Sequence, residues 1–425
     1  MIHMPSKTWM WYIFPSSVTI EGLHIVIPLY VLFLNGTVAD VGIVVAVQYC
    51  GSALGSIFWG KIIDRYHVKR LILLISFSAV TISSLVLFFV EDLPKIFILS
   101  SIVGFFIIGK NPITQMMVME TNPNNRWSQM FALTSNITTF GSLAAFSVGM
   151  FWSQIFDLKP YFLFCAVFSL FSLFTSVFVG KSSFLERHTI AESVHGATYF
   201  LRHHRMHFHL YFPKHPKVND FKHITTLFRG KIKHEIGLLY LTNFFFYFGS
   251  NSFFTILIPF LKHYDFSTSQ IFAVYLIQTV VMMIFFFLTP RLVSWIGESR
   301  SVKISYGPRI AGIILSGSLV PILIGDNSFF AAAVASSIMV IGFSIFSTSN
   351  SVIFFKAIPK GYEGRFLGVN SFMVGIGIFT ASLISGFVSS TFGYTVSFVM
   401  ASILLGVSLV MFSIYIKHRV SSKLH

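Results

Sequence analysis

The chain has 425 residues, 54% of them apolar and 11% charged, with a mean hydropathy of +0.76. A soluble domain carries about 25% charged residues, so soluble enzymes and binding modules are excluded and the chain reads as a membrane protein. Its net charge of +15 would suit nucleic acid, but the placement of the basic residues excludes that partner as well.

A membrane-spanning helix needs about 20 mostly apolar residues. Twelve such runs can be marked, at 10–34, 38–60, 71–90, 96–118, 129–152, 160–180, 236–260, 270–289, 304–324, 328–352, 366–388 and 395–417. The first is too long, and lacks the small-residue cleavage site, of a removable signal. Twelve crossings put both termini on one side. Of the 30 Lys and Arg, 25 fall in the loops on that side, Lys95, Lys159 and Lys262 fall on the other, and Lys110 and Arg309 lie within runs. Basic loops stay inside, so a multi-pass plasma-membrane protein with both termini in the cytoplasm is expected, with anionic lipid rather than nucleic acid as the partner of the basic residues. Cys50 and Cys165 sit within runs and are expected to pack as small apolar residues.

In chain order, the first run holds Glu21 and His24 near its centre, three residues apart and so on one helix face. Pro28 follows and frees a backbone carbonyl, which a cavity-lining helix tolerates. The second run carries Gly51, Ala53, Gly55, Ser56 and Gly60, small residues that let helices approach closely in lipid. A short charged loop, 61–70, then joins two antiparallel neighbours. The fourth run contains Lys110 before Asn111-Pro112. Ionisable groups inside spans are costly and therefore functional candidates. On a rise of 1.5 Å per residue, Glu21 and Lys110 lie within roughly 5 Å of each other in depth. Glu21 is the candidate proton-carrying carboxylate, with Lys110 and His24 as its electrostatic partners. Arg309 is expected to snorkel along its stem toward the headgroups.

Segment 181–235 is basic and polar and holds nine of the fifteen histidines. Its pairs at helical spacing could suggest a metal, but no Cys or paired carboxylate completes a site. Aromatic and basic residues interleave there, as in a helix lying on the lipid surface. It divides the chain into 1–180, a linker at 181–235, and 236–425. No cofactor is expected, and no G-x-x-x-x-G-K-[ST] loop for ATP occurs.

The stretch Gly60-x-x-x-Asp64-Arg65-x-x-x-Lys69 resembles the signature loop between the second and third spans of the major facilitator superfamily, with His67 where that family usually has Gly. Pro123 precedes Gly141 by the 18 residues that separate Pro359 from Gly377, and Pro290–Arg300 keeps the outline of a second signature loop. The chain thus reads as two similar six-span halves. The resemblance implies an all-α fold of twelve transmembrane helices in two pseudo-symmetric bundles, with a central cavity lined by the first and fourth spans. Glu21 and Lys110 would then face each other across it. Asn136, Asn243, Tyr247, Asn251, Gln278, Asn350 and Asn370, with Lys110, fall in cavity-lining spans and are candidate substrate contacts or interhelical glue. Asp64 would meet the N-terminus of the eleventh span, and Arg65 and Lys69 would pair with Glu120. With Gly60 these residues would latch the halves on the cytoplasmic side and hold the outward-open state.

The expected function is secondary active transport of a small organic solute by a monomer, with proton coupling. Of His, Asp and Glu, the loops opposite the termini hold only His263 and six scattered acids, which is poor material for catalysis. Efflux is slightly favoured, because an acid beside an apolar, aromatic lining suits amphipathic or cationic compounds, whereas Lys110 suits an anionic metabolite. The alternatives are an uptake permease for a sugar or organic acid, and a membrane enzyme or lipid-handling protein on the same frame.

Overall fold

The computed structural model describes residues 7–66, 68–122, 127–179, 234–357 and 363–424. The linker's histidines up to position 223, together with His67, Pro123 and Pro359, lie outside them. A 3-10 turn, Lys7–Tyr12, leads into α1 (Ile13–Phe33), followed by α2 (Val38–Tyr66), α3 (Lys69–Phe89), α4 (Leu93–Ile107), α5 (Lys110–Thr121), α6 (Trp127–Ile155) and α7 (Tyr161–Thr175). After the linker come α8 (His234–His263), α9 (Thr268–Ile296), α10 (Glu298–Leu319), α11 (Asp326–Ala357), α12 (Glu363–Phe392) and α13 (Tyr394–Leu424). The fold is all-α. With α4 and α5 forming one span, these are twelve transmembrane helices in two pseudo-symmetric bundles. Among the described residues, ten spans are individually long and apolar enough to cross a bilayer. The less apolar α10 carries four charged residues, Glu298, Arg300, Lys303 and Arg309.

The repeat is written in the turns. Asn35 has φ +59° and Asp265, 230 positions later, has φ +60°. Short polar side chains tolerate this left-handed conformation best. The Gly36 amide donates to the Val31 carbonyl at 2.9 Å, and the Phe266 amide to the Leu261 carbonyl at 3.1 Å. The next helix then opens on a capping box. Ser267 N donates to Gln270 Oε1 at 2.8 Å while Gln270 N donates to Ser267 Oγ at 3.2 Å. At the matching positions, Thr37 N donates to Asp40 Oδ2 at 2.7 Å and Asp40 N to Thr37 Oγ1 at 3.3 Å.

Packing repeats too. Gly141 on α6 lies against Phe14 O and Val18 N of α1, and Gly377 on α12, 236 positions later, lies against Phe244 O and Phe248 N of α8, which are 230 positions on from Phe14 and Val18. Two close contacts between the bundles lie on the side opposite the termini. There α2 and α12 meet at Gly42 and Gly386, where a Cβ on Gly42 would stand 2.6 Å from Ser382 O and 2.8 Å from the Gly386 Cα. On the other seam, Gly149 of α6 receives the Phe272 ring of α9. Ser269 Oγ donates to Met150 O at 2.9 Å and Gln154 Nε2 to Ser269 Oγ at 2.9 Å.

Several expectations need correction. Residues 61–66 are not loop: α2 stays helical to Tyr66 and α3 begins at Lys69, because Lys61 and Arg65 are good helix formers and carry the helix on once it has left the apolar layer. Likewise α9 runs through Pro290 to Ile296, and Gly297 at φ +84° makes the whole connection to α10. The fourth span is broken rather than continuous. Cys165 is buried as expected, but Cys50 on α2 is exposed.

Candidate transport site

The centre of α1 places Glu21 and His24 on one face, with Glu21 Oε2 4.0 Å from His24 Nδ1 and both side chains about one-third exposed. The His24 ring lies 6.4 Å from that of Tyr49 on α2. Lys110 reaches the same region because of the break in the fourth span. Pro112 has no amide to donate to Ile108 O, and that carbonyl accepts from the Asn111 amide at 3.1 Å instead. Trp59 Nε1 donates to Phe105 O at 2.9 Å and Ser52 Oγ to Gly104 O at 3.1 Å, so α2 satisfies carbonyls beside the break. Lys110 then starts α5, and its Nζ donates to Ser16 Oγ of α1 at 3.3 Å.

Glu21 and Lys110 make no ion pair within 4.0 Å among the described residues. They are near enough to feel each other's charge, and Glu21 also stands near His24, Tyr49 and, across the bundle boundary, Tyr275 of α9. Ser16, Tyr49 and Tyr275 are not among the residues that sequence reasoning singles out. A serine five positions before Glu21 in an apolar run is the one local signal among them.

The polar residues expected along the cavity divide into two groups. Asn243, Asn350 and Asn370 form a chain: Asn350 Nδ2 donates to Asn243 Oδ1 at 2.8 Å, and Asn243 Nδ2 donates to Asn370 Oδ1 at 2.6 Å. The chain joins α11, α8 and α12, and Asn350 Oδ1 is left buried without a donor. The others stay outside it. Asn251 Nδ2 turns back to Tyr247 O of its own helix at 3.0 Å. Gln278 is buried with Oε1 unmet, and Asn136 is half-buried on α6.

Arg309 does not snorkel. It is 2% exposed, and its Nε donates to Ser250 Oγ at 2.8 Å while Nη1 donates to Met339 O at 3.2 Å. Its guanidinium carbon stands 5.1 Å from the ring centroids of Phe246 and Phe343 and 5.6 Å from that of Phe254. Arg309 lies mid-helix, about 15 Å from either end of α10 at 1.5 Å per residue, too deep for its stem to reach water. Of the latch residues, Lys69 is 2% exposed at the start of α3. Gly60, Asp64 and Arg65 lie on helical backbone of α2, and Glu120 on α5; their side chains are outside those described.

Residues 10–315 match the family model of the Major Facilitator Superfamily. The chain belongs to that superfamily. No curated protein matches it. In fold it is similar to a mutant of the nucleoside transporter NupG, with a TM-score of 0.76 at 14% identity, covering 96% of this chain and 98% of that one. It is also similar to the xylose transporter XylE from E. coli in a partially occluded inward-open conformation, with a TM-score of 0.70 at 14% identity over 95% of this chain and 96% of that one. A third likeness is to a mutant of the peptide transporter POT, with a TM-score of 0.71 at 13% identity over 96% of this chain and 94% of that one. This facilitator is therefore a multi-pass membrane transporter, and the ionisable groups within its helices include Glu21, His24 and Lys110 in one bundle and Arg309 in the other.

Proposed function

We propose that this facilitator is a proton-coupled secondary transporter of a small organic solute, working by alternating access around a mid-membrane site. The observation that carries the reading is the grouping of Glu21, His24 and Lys110 on helices α1 and α5. Glu21 would carry the proton. Protonation cancels its charge, so Lys110 and His24 lose the field that holds them, and the cluster differs electrostatically between its loaded and empty states. A ligand shifts a conformational equilibrium only through such a difference.

Asn136, Asn243, Tyr247, Asn251, Gln278, Asn350 and Asn370 would supply hydrogen bonds to the solute. Gly60, Asp64, Arg65, Lys69 and Glu120 would close the terminus side when the opposite side opens. The concentration of Lys and Arg beside the termini supports a cytoplasmic position for them.

The test is internal pH in proteoliposomes challenged with pooled metabolites and drugs, comparing wild type with Glu21→Gln. Proton movement driven by a pool in wild type alone is the expected result, and its sign reports import or export. Equal proton movement in both proteins rejects Glu21 as the coupling group.

A further inference from the structure

Arg309 presents a problem that the proton-coupling cluster does not solve. A guanidinium has five N–H donors and stays charged in proteins. Here Ser250 Oγ and Met339 O take two of them, and three phenyl faces surround the rest. No carboxylate lies within 4.0 Å among the described residues. Nor does the sequence of this bundle offer one at this depth. The acidic residues after position 234 are Glu235, Asp265, Glu298, Asp326 and Glu363, and each sits at a helix end or in a turn. In the other bundle, Lys110 at least has Glu21 in the same region of the helices. Arg309 is answered by no acid among the described residues, and a buried charge is retained at a cost that a counter-ion normally offsets.

The surroundings say where a counter-ion would enter. Phe246, Ser250 and Phe254 form a stripe at four-residue spacing on α8, and it holds the guanidinium. Asn243, Tyr247 and Asn251 form the adjoining stripe, one residue round the helix. The Tyr247 ring stands edge-on to that of Phe246, with centroids 5.6 Å apart, so it joins the arginine's aromatic surround to the stripe of candidate solute contacts.

We infer that the solute itself supplies the missing charge: the transported compound is a small organic carboxylate, and Arg309 is the residue that selects it. This rests on the transport reading above but not on Glu21. The carboxylate approaches beside Tyr247 and accepts the N–H groups that Ser250 and Met339 leave open, the two-pronged geometry that suits guanidinium to carboxylate. Phe246, Phe254 and Phe343 make the surroundings apolar, which favours an aromatic or aliphatic body over a polyhydroxylated one.

The experiment is thermal unfolding of the purified full-length protein with benzoate, phenylacetate and pyruvate, each compared with its uncharged amide, at concentrations up to about 50 mM, since a ligand that binds the folded state raises its stability. At least one acid is expected to raise Tm saturably while its amide does not. Arg309→Gln is expected to lose at least about tenfold in affinity for that acid, and Arg309→Lys to keep the acid preference at reduced affinity. Glu21→Gln should keep the preference in full, so loss of proton coupling and loss of anion selection are read separately. If Arg309→Gln does not fold, Tyr247→Phe takes its place and should narrow the acid–amide difference. Binding of amides as tightly as acids, binding of none of the acids to wild type, or wild-type discrimination in Arg309→Gln would each overturn the inference.

Discussion

Asn350 donates to Asn243 at 2.8 Å, and Asn243 in turn donates to Asn370 at 2.6 Å, so one side chain on α8 holds both α11 and α12. An interhelical hydrogen bond in a membrane averages only about 0.6 kcal/mol, but stranding a buried polar partner costs about 1–3 kcal/mol. Asn243 is 1% exposed and serves two partners. Asn243→Ala is therefore expected to lower stability by about 1–3 kcal/mol on that basis, and Asn370→Ala by less, because it breaks one bond. Thermal unfolding in detergent checks both, and equal effects would show that the chain does not act as a unit.

Lys110 is anchored by a hydrogen bond to Ser16, and that bond is long at 3.3 Å. Most of its role must then come from charge rather than from the anchor. Bonds to charged groups contribute about 1.5–3 kcal/mol, which corresponds to roughly 10- to 100-fold in rate or affinity at 1.4 kcal/mol per tenfold. Lys110→Ala should cost that much in proteoliposome transport, with Ser16→Ala costing a few-fold at most.

The capping boxes at Thr37 and Ser267 hold equivalent places in the repeat. Losing an N-cap costs about 0.5–2 kcal/mol. Thr37→Ala and Ser267→Ala should therefore destabilise by similar amounts, and each should speed hydrogen exchange in the first turn of its own helix. Exchange measured by mass spectrometry distinguishes this from a general loosening.

Where α2 meets α12, backbone touches backbone. Gly386→Val is expected to wedge the bundles apart on the side opposite the termini while leaving each bundle folded. A cysteine at Ser382, buried at that seam and introduced into a Cys50→Ser background, should then react several-fold faster with a water-soluble maleimide. An unchanged rate would mean that the seam absorbs the added methyl groups.

Much of the architecture is legible because it depends on local composition. Long apolar runs give the helices, and the Gly141 and Gly377 spacing gives the repeat that the packing on Phe14 and Phe244 repeats in detail. Helix ends are harder to place. Lys61 and Arg65 mark the edge of the apolar layer, but a helix does not stop where its apolarity stops, and hence α2 reaches Tyr66. Arg309 shows the deeper limit. Its depth follows from counting residues, but its direction depends on Ser250 and Met339, which lie 59 and 30 positions away. Nor can spacing reveal that three of the seven polar candidates bond to one another while Asn251 turns back on its own helix.

The two seams between the bundles occupy matching places in the repeat, with Phe272 standing 230 positions after Gly42, yet they are built differently. One is a pair of smooth rails, Gly42 on Gly386; the other is a tooth in a notch, Phe272 in the hollow left by Gly149. Rails can slide or tilt with little loss of contact, whereas a tooth must lift clear before its seam can part. A fold made from two like halves thus carries a lopsided bearing, and the path by which it opens need not share the symmetry of its parts.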